Sequence, residues 1–309
     1  MTQPFVIETT DLTTRFGVHR GIEDVNIRVA EGDFYGFIGP NGSGKSTTIR
    51  LLLGLISPSA GKARLFGELA GPNQTDLLAR LGYMPSEAVF YKGMTVREVI
   101  RLSADLRGRA VRDKCRKEAE RLCDLFQVDT HKKVEELSLG NRKKVSIICA
   151  LQHRPELYIL DEPTSGLDPF MQKLFWQELT ERNRQGATVF VSSHILSEVQ
   201  RYCQRAAIIQ DGRIVIDDSV QRLIQTTAKR VTIHGRAPVD LDLADMKDVL
   251  QAEDSLSFLY NGDIQLLLEA LYKQRGEMLD VSIVDPDMDE VFMHYYETTA
   301  ISPQAKGGH

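Results

Sequence analysis

Between Gly39 and Ser46 the chain reads GPNGSGKS, the spacing Gly-x-x-x-x-Gly-Lys-Ser/Thr of a phosphate-binding loop. Glycines let the backbone curl so that successive N–H groups point inward at phosphate oxygens. The N-terminus of a following helix adds positive potential. In such a loop Lys45 places its charge on the β- and γ-phosphates of a nucleotide, and the Ser46 hydroxyl ligates Mg²⁺. Gly39, Pro40, Asn41, Gly42, Ser43, Gly44, Lys45, Ser46 and the adjoining Thr47 therefore form the candidate nucleotide contact. A chance match to this pattern has a probability on the order of 1% in a chain of ordinary composition. A second feature is LYILDEP at residues 157–163, an apolar run that ends in Asp161 and Glu162. Asp161 is the candidate for the magnesium shell, and Glu162 for the group that orients or deprotonates an attacking water. Standing alone, an acidic strand end reads better as the cap of the next helix; a phosphate loop beside it favours catalysis. His194, at the end of VFVSSH, is the candidate γ-phosphate contact. An ordinary strand-end histidine is its plainer reading.

The elements that must carry these residues are legible as alternation. FYGFI at 34–38 is a short apolar run bounded by Gly39-Pro40, and the phosphate loop follows it directly. Ile49, Leu52 and Leu53 then recur at helical spacing. Thr95 is placed to cap a helix over VREVIRLSADLRG, and KCRKEAERLCDLF reads as an amphipathic helix with Leu122, Leu125 and Phe126 on one side. LYILDEP and ATVFVSSH have the continuous apolarity of parallel strands covered on both faces. Strands alternating with helices imply crossover units and a largely parallel sheet, whose ligands sit beyond the carboxyl ends of the strands. The expected fold class is α/β. Near residue 227 the pattern changes: KRVTIHGR, SLSFLYNGD, IQLLLEALYKQRG, LDVSIVD and MDEVFMHYYE predict strand, strand, helix, strand, helix. The expected organisation is a nucleotide-binding domain over 1–226, a small α+β domain over 227–298, and a disordered tail over 299–309.

Composition excludes several classes. The 309 residues are 42% hydrophobic and 26% charged, ordinary for a globular protein, and the net charge of −5 offers no basic footprint for nucleic acid. A local basic cluster, Arg142-Lys143-Lys144, reads at least as well as a solvated face. The four cysteines have neither metal-ligand nor disulfide spacing, which favours a reducing compartment. The N-terminus lacks the pattern of a secretory signal, and no apolar run approaches the roughly 18 residues a membrane helix needs. If the protein serves a membrane process, another chain must cross the membrane.

Taken together, the phosphate loop at 39–46, LSLGN at 137–141, LYILDEPTSGLD at 157–168 and His194 resemble the ATP-binding subunit of an ABC transporter, over roughly residues 5 to 225. That resemblance implies a P-loop core with antiparallel β and helical subdomains. It implies that Phe16 stacks on adenine, that Glu162 is the catalytic base and that His194 is the switch histidine. Leu137, Ser138, Leu139, Gly140 and Asn141 would contact the ATP of a second protomer. Ser138 and Gly140 match the family signature, while Leu139 and Asn141 depart from it. Ser165, Gly166, Leu167 and Asp168 correspond to the loop joining the two protomers' sites. Complementary half-sites imply a dimer around two ATP molecules, with an identical partner in the simplest case. Ser86, in YMPSEAVFY, occupies the place of a glutamine that contacts Mg²⁺ and links the ATP site to the membrane partner. A serine would need a bridging water to reach a metal; Glu87 reaches further but brings negative charge.

Three functions compete: a transport motor on separate transmembrane permease subunits, a soluble ATPase acting on ribosomes or DNA, and a regulatory module with little turnover. A single phosphate loop and no sustained heptads favour the transport motor, at the inner face of the cell membrane. Lys45, Asp161, Glu162 and His194 together argue against an inactive module. GYMPSE, LSLGNRKK and DEVFMHYY resemble the drug, antibiotic and lipid exporter branch, with an importer as alternative. Val89, Phe90, Tyr91 and Met94 mark the expected contact with the membrane subunit, with loop packing an equal reading. The expected role of the C-terminal domain is packing and dimer support.

Overall fold

The computed structural model describes residues 5–16, 19–72, 74–224, 229–236, 241, 243–276 and 278–284. The helix predicted from MDEVFMHYYE and the expected tail at 299–309 lie outside the described residues. The chain divides into two compact units, Met1–Asp218 and Ser219–His309.

In the first unit the elements run β1 (Phe5–Phe16), β2 (His19–Val25), β3 (Arg28–Ala30), β4 (Phe34–Ile38), α1 (Lys45–Leu52), β5 (Ala60–Leu65), β6 (Glu68–Leu69), α2 (Thr75–Ala79) and β7 (Leu81–Met84). There follow α3 (Val96–Asp105), α4 (Arg109–Leu125), α5 (Leu139–Leu151), β8 (Leu157–Asp161), α6 (Pro169–Arg184), β9 (Thr188–Ser193), α7 (Leu196–Tyr202), β10 (Arg205–Gln210) and β11 (Arg213–Ser219). A six-stranded sheet has the order β11-β10-β4-β9-β8-β7. Every residue of β4, β8 and β9 is buried, as continuous apolar runs in a sheet covered on both faces should be. The pairings β10–β4, β4–β9, β9–β8 and β8–β7 are all parallel. Their register pairs Ile38 with Ser193, Asp161 with Ser192 and Met84 with Leu160. Four strands thus end nearly level, and the residues just beyond them emerge at one edge.

β1 pairs antiparallel with β2, β3 and β5, and β5 pairs antiparallel with β6. One core cluster joins this sheet, α1 and the parallel sheet through Ile7, Leu12, Val29, Ile49, Leu52, Phe37, Ile159 and Phe190. Helix α3 begins in a capping box: Thr95 Oγ1 accepts from the Glu98 N–H, and Glu98 Oε2 accepts from the Thr95 N–H at 2.7 Å. On α4, Leu122 and Phe126 are fully buried, joined by Cys115 and Cys123. Among the described residues no helix is long and apolar enough to cross a membrane.

The second unit contains α8 (Val220–Ile224), β12 (Lys229–Gly235), β13 (Met246–Gln251), β14 (Ser255–Tyr260), α9 (Ile264–Lys273) and β15 (Met278–Val284). Its antiparallel sheet runs β13-β14-β12-β15. Val231, Ile233, Leu256, Phe258 and Tyr260 pack with Leu267 and Leu271 of α9. Strand β13 is the element the sequence reading lacks. It lies at the sheet edge, and Lys247–Gln251 are all exposed, so its residues carry no alternation to detect.

Candidate functional site

Residues 39–46 leave β4 and curl before entering α1. Gly42 and Gly44 have φ of 83° and 111°, a left-handed conformation that glycine adopts without strain. At Gly39 the requirement is space, since a Cβ there would lie 2.3 Å from the Ile209 carbonyl oxygen. Lys45 follows Gly44, the N-cap of α1, and is only 5% exposed. Its Nζ turns back over the loop, donating to the Gly39 carbonyl at 2.7 Å and the Pro40 carbonyl at 3.1 Å, with Glu162 Oε1 at 3.5 Å. A desolvated ammonium inside a ring of backbone is a phosphate-seeking arrangement.

The neighbouring strand end supplies the acids. Ser46 Oγ donates to Asp161 Oδ2 at 2.7 Å, and Ser192 Oγ donates to Asp161 Oδ1. The same Ser192 hydroxyl accepts from the Glu162 N–H at 3.1 Å. Glu162 has φ of 47°, a strained conformation for a residue with a side chain. That turn at the end of β8 swings its carboxylate away from Asp161 and toward Lys45 and His194. His194 Nδ1 lies 2.9 Å from Glu162 Oε2. The structure therefore brings Lys45, Ser46, Asp161, Glu162 and His194 into one continuous cluster.

The other sequence-predicted residues occupy separate places. Ser138 is the N-cap of α5 and accepts from the Asn141 N–H at 3.3 Å. Leu139 is 62% exposed beside it. A Cβ on Gly140 would lie 2.8 Å from the Gly166 carbonyl oxygen, so the 137–141 and 165–168 segments are in contact. Asp168 caps α6, accepting from the Met171 N–H at 3.0 Å, with Pro169 following. Among the described residues no hydrogen bond or ion pair joins residues 137–141 to the Lys45–Glu162 cluster. Phe16 ends β1 and is half exposed. Ser86 and Glu87 are exposed beyond β7, and the Ser86 carbonyl accepts from Lys143 Nζ at 2.8 Å.

Comparison with known proteins turns on this constellation. The family model described as ABC transporter matches residues 22–165. The bacitracin transport ATP-binding protein BcrA of Bacillus licheniformis is 34% identical over 299 residues, spanning 93% of this chain and 96% of that one. The chain belongs to the ABC transporter ATP-binding proteins. Nod factor export ATP-binding protein I of Paraburkholderia xenovorans is 31% identical, over 88% of this chain and 91% of its own. A solved ATP binding subunit of an ABC transporter superposes with a TM-score of 0.67 at 30% identity, covering 71% of this chain and 91% of that one. A dimeric cassette in a post-hydrolysis state bound to ADP and Pi gives a TM-score of 0.63 at 23% identity, over 69% and 98%.

For an ABC ATP-binding protein, ATP is the nucleotide of the loop, and its hydrolysis is the reaction. The donor set also fits a small hard cation. Ser46 and Asp161 present oxygen only, and among the described residues no group of three or more His, Cys, Asp or Glu could cage a metal. Mg²⁺ is commonly held by one or two such groups together with nucleotide phosphates.

Three residues of this ABC subunit's site escape motif reading. Ser192 orients both acids, and the signal was present: two serines closing a buried strand in VFVSSH. Glu198, on α7, accepts from Thr164 Oγ1, Trp176 Nε1 and Ser193 Oγ, bracing the ends of β8 and β9; burial raises its carboxyl above the ordinary range. Lys143 belongs to the basic cluster read as a solvated face, yet it is only 2% exposed. Helical period alone could have turned it inward, four residues from Ile147 and three from Gly140.

Proposed function

We propose that this ATPase is the motor of an exporter for a drug, antibiotic, lipid or similar substrate, acting on separate transmembrane permease subunits. The reading is carried by the cluster of Lys45, Asp161, Glu162 and His194 at the edge of the parallel sheet. Substrate class is supported by full-length likeness to proteins whose names specify bacitracin transport and Nod factor export, a likeness that includes the second unit. Nucleic acid is not a partner in this reading, consistent with the net charge of −5.

Lys45 binds the β- and γ-phosphates, and the 39–47 loop wraps them. As the phosphates draw the ammonium, Glu162 loses its counter-ion at 3.5 Å and is left to orient the attacking water. His194 holds the other carboxylate oxygen and contacts the γ-phosphate. Mg²⁺, held by Ser46 and Asp161, with Ser86 reaching it through water, would neutralise charge on the phosphates. Phe16 stacks on adenine. Ser138, with the N-terminus of α5 and flanking Leu137 to Asn141, binds the ATP of an identical second subunit. The loop Ser165–Asp168, packed on Gly140, connects the two sites. The complex works at the inner face of the cell membrane. The domain division of the proposal is 1–226 and 227–298, the second serving packing and dimer support.

Glu162→Gln tests the assignment. It should bind ATP normally, lose about 10²–10⁴-fold in turnover, and accumulate as an ATP-bound dimer in sedimentation. Phosphate release at the wild-type rate would refute the role of Glu162.

A further inference from the structure

The basic cluster of the sequence holds a side chain that the hydrolytic reading leaves without a task. Lys143 sits on α5, the helix capped by Ser138, and is 2% exposed. Its neighbours on α5, Val145, Ile147 and Ile148, are fully buried, so the helix is clamped and the lysine has little freedom. Nζ donates to the backbone carbonyl of Ser86 at 2.8 Å. Burial disfavours its charge, and the fields of Asp161 and Glu162 oppose that loss, so the ammonium lies in the field of the acidic pair. Two parts of the molecule meet at this one atom, the helix that presents Ser138 and the segment beyond β7 that runs on to the exposed Val89 and Tyr91. The register of β7 on β8, with Met84 against Leu160, runs that segment out alongside the acids at the end of β8.

We infer that Lys143 is a positioning residue, anchoring the Ser86 backbone beside Asp161 and Glu162 and so setting the geometry of the hydrolytic step. The proposal rests on the hydrolytic reading above. The physical reason is the shortness of Ser86. A serine side chain is too short to tie the segment to the acids, and the segment is held instead through its main chain by a long cation. Without the donor, the Ser86 carbonyl loses its partner and the segment can shift. Displacements of about 1 Å around a reacting centre can lower turnover about 10²-fold. Lys143 takes no part in the phosphate loop's own hydrogen bonds, which run through Lys45, Ser46 and Asp161. ATP affinity should therefore survive.

The test uses the full chain with Lys143→Met and Lys143→Gln, alongside wild type and Glu162→Gln. Steady-state kcat, equilibrium binding of a fluorescent ATP analogue and melting temperature are measured for each. Lys143→Met should lose about 10- to 100-fold in kcat with analogue affinity within about twofold of wild type. Lys143→Gln, which keeps a donor but not the charge, should fall between the two. A folded variant with wild-type kcat overturns the proposal, and so does one whose affinity falls as much as its kcat, since that marks general disruption. If Lys143→Met does not fold, Lys143→Gln is judged by the same criteria. Normal turnover by Glu162→Gln would instead strike at the hydrolytic reading, and this inference would fall with it.

Discussion

Ser192 carries more of the site than its size suggests. One hydroxyl donates to Asp161 and accepts from the Glu162 N–H. It therefore fixes the carboxylate of one acid and the backbone of the next, which holds a φ of 47°. Removing it leaves a buried carboxylate oxygen of Asp161 short of a donor, a cost of about 1–3 kcal/mol, while the Glu162 N–H keeps the Ser192 backbone carbonyl. Ser192→Ala should lower kcat about tenfold and reduce stability to urea, with ATP binding retained. Unchanged kcat would mean that Asp161 and Glu162 are held by Ser46, Lys45 and His194 alone. The hydroxyl was visible in VFVSSH; its partners were not, because the register of β9 on β8 decides which serine faces Asp161.

At the scale of elements, α4 is tied to α6 by a buried charge network. Arg182 Nη2 lies 2.6 Å from Glu118 Oε1, and Arg121 and Arg154 contact the same carboxylate at 2.7 and 2.8 Å. Glu178 joins through Arg121 and Arg182. Burial alone would raise the Glu118 carboxyl, yet hydrogen bonds from Arg121 and Arg154 and the charge of Arg182 hold it down at about 2. A depressed carboxyl contributes stability that is complete above its unfolded value of 4.5 and lost as pH falls from there toward 2. Urea midpoints should drop over that window in wild type, and less so in Glu118→Gln. Glu118→Ala leaves Arg182 with Glu178 as its remaining carboxylate and should cost about 1–3 kcal/mol at neutral pH; a wild-type urea midpoint would show the network to be inert. Sequence reading could place α4 and α6 separately, but Glu118 and Arg182 are distant in the chain, and nothing in either helix names the other.

At the scale of the whole molecule, the question is how hydrolysis reaches a membrane partner. Val89 and Tyr91 are 82% and 74% exposed, beside Leu106 at 79%. Val89, Phe90 and Tyr91 line a cleft with Val99, Leu102 and Leu106 of the α3 region. Under the proposed function this cleft is the contact with the membrane subunit. Tyr91→Glu should leave basal ATPase within about twofold while abolishing co-purification with the permease and stimulation by transport substrate. Intact complex formation would remove this cleft from the coupling route. Among the described residues of the second unit, Phe258, Leu267 and Leu271 pack into one core.

The sequence by itself determined the phosphate loop, the acidic strand end, the fully buried strands and the family, because each is local: a glycine spacing, an apolar run, a residue at its end. It equally determined the cap at Thr95, since a cap needs only the residues of its own first turn. Tertiary structure alone decided that Glu162 sits between Lys45 and His194, that Ser192 bridges two acids, and that Lys143 turns inward to the Ser86 carbonyl. Those contacts join residues far apart in the chain. They depend on strand order, register and the rotation of one helix against a sheet, and these are settled only when the apolar faces pack together.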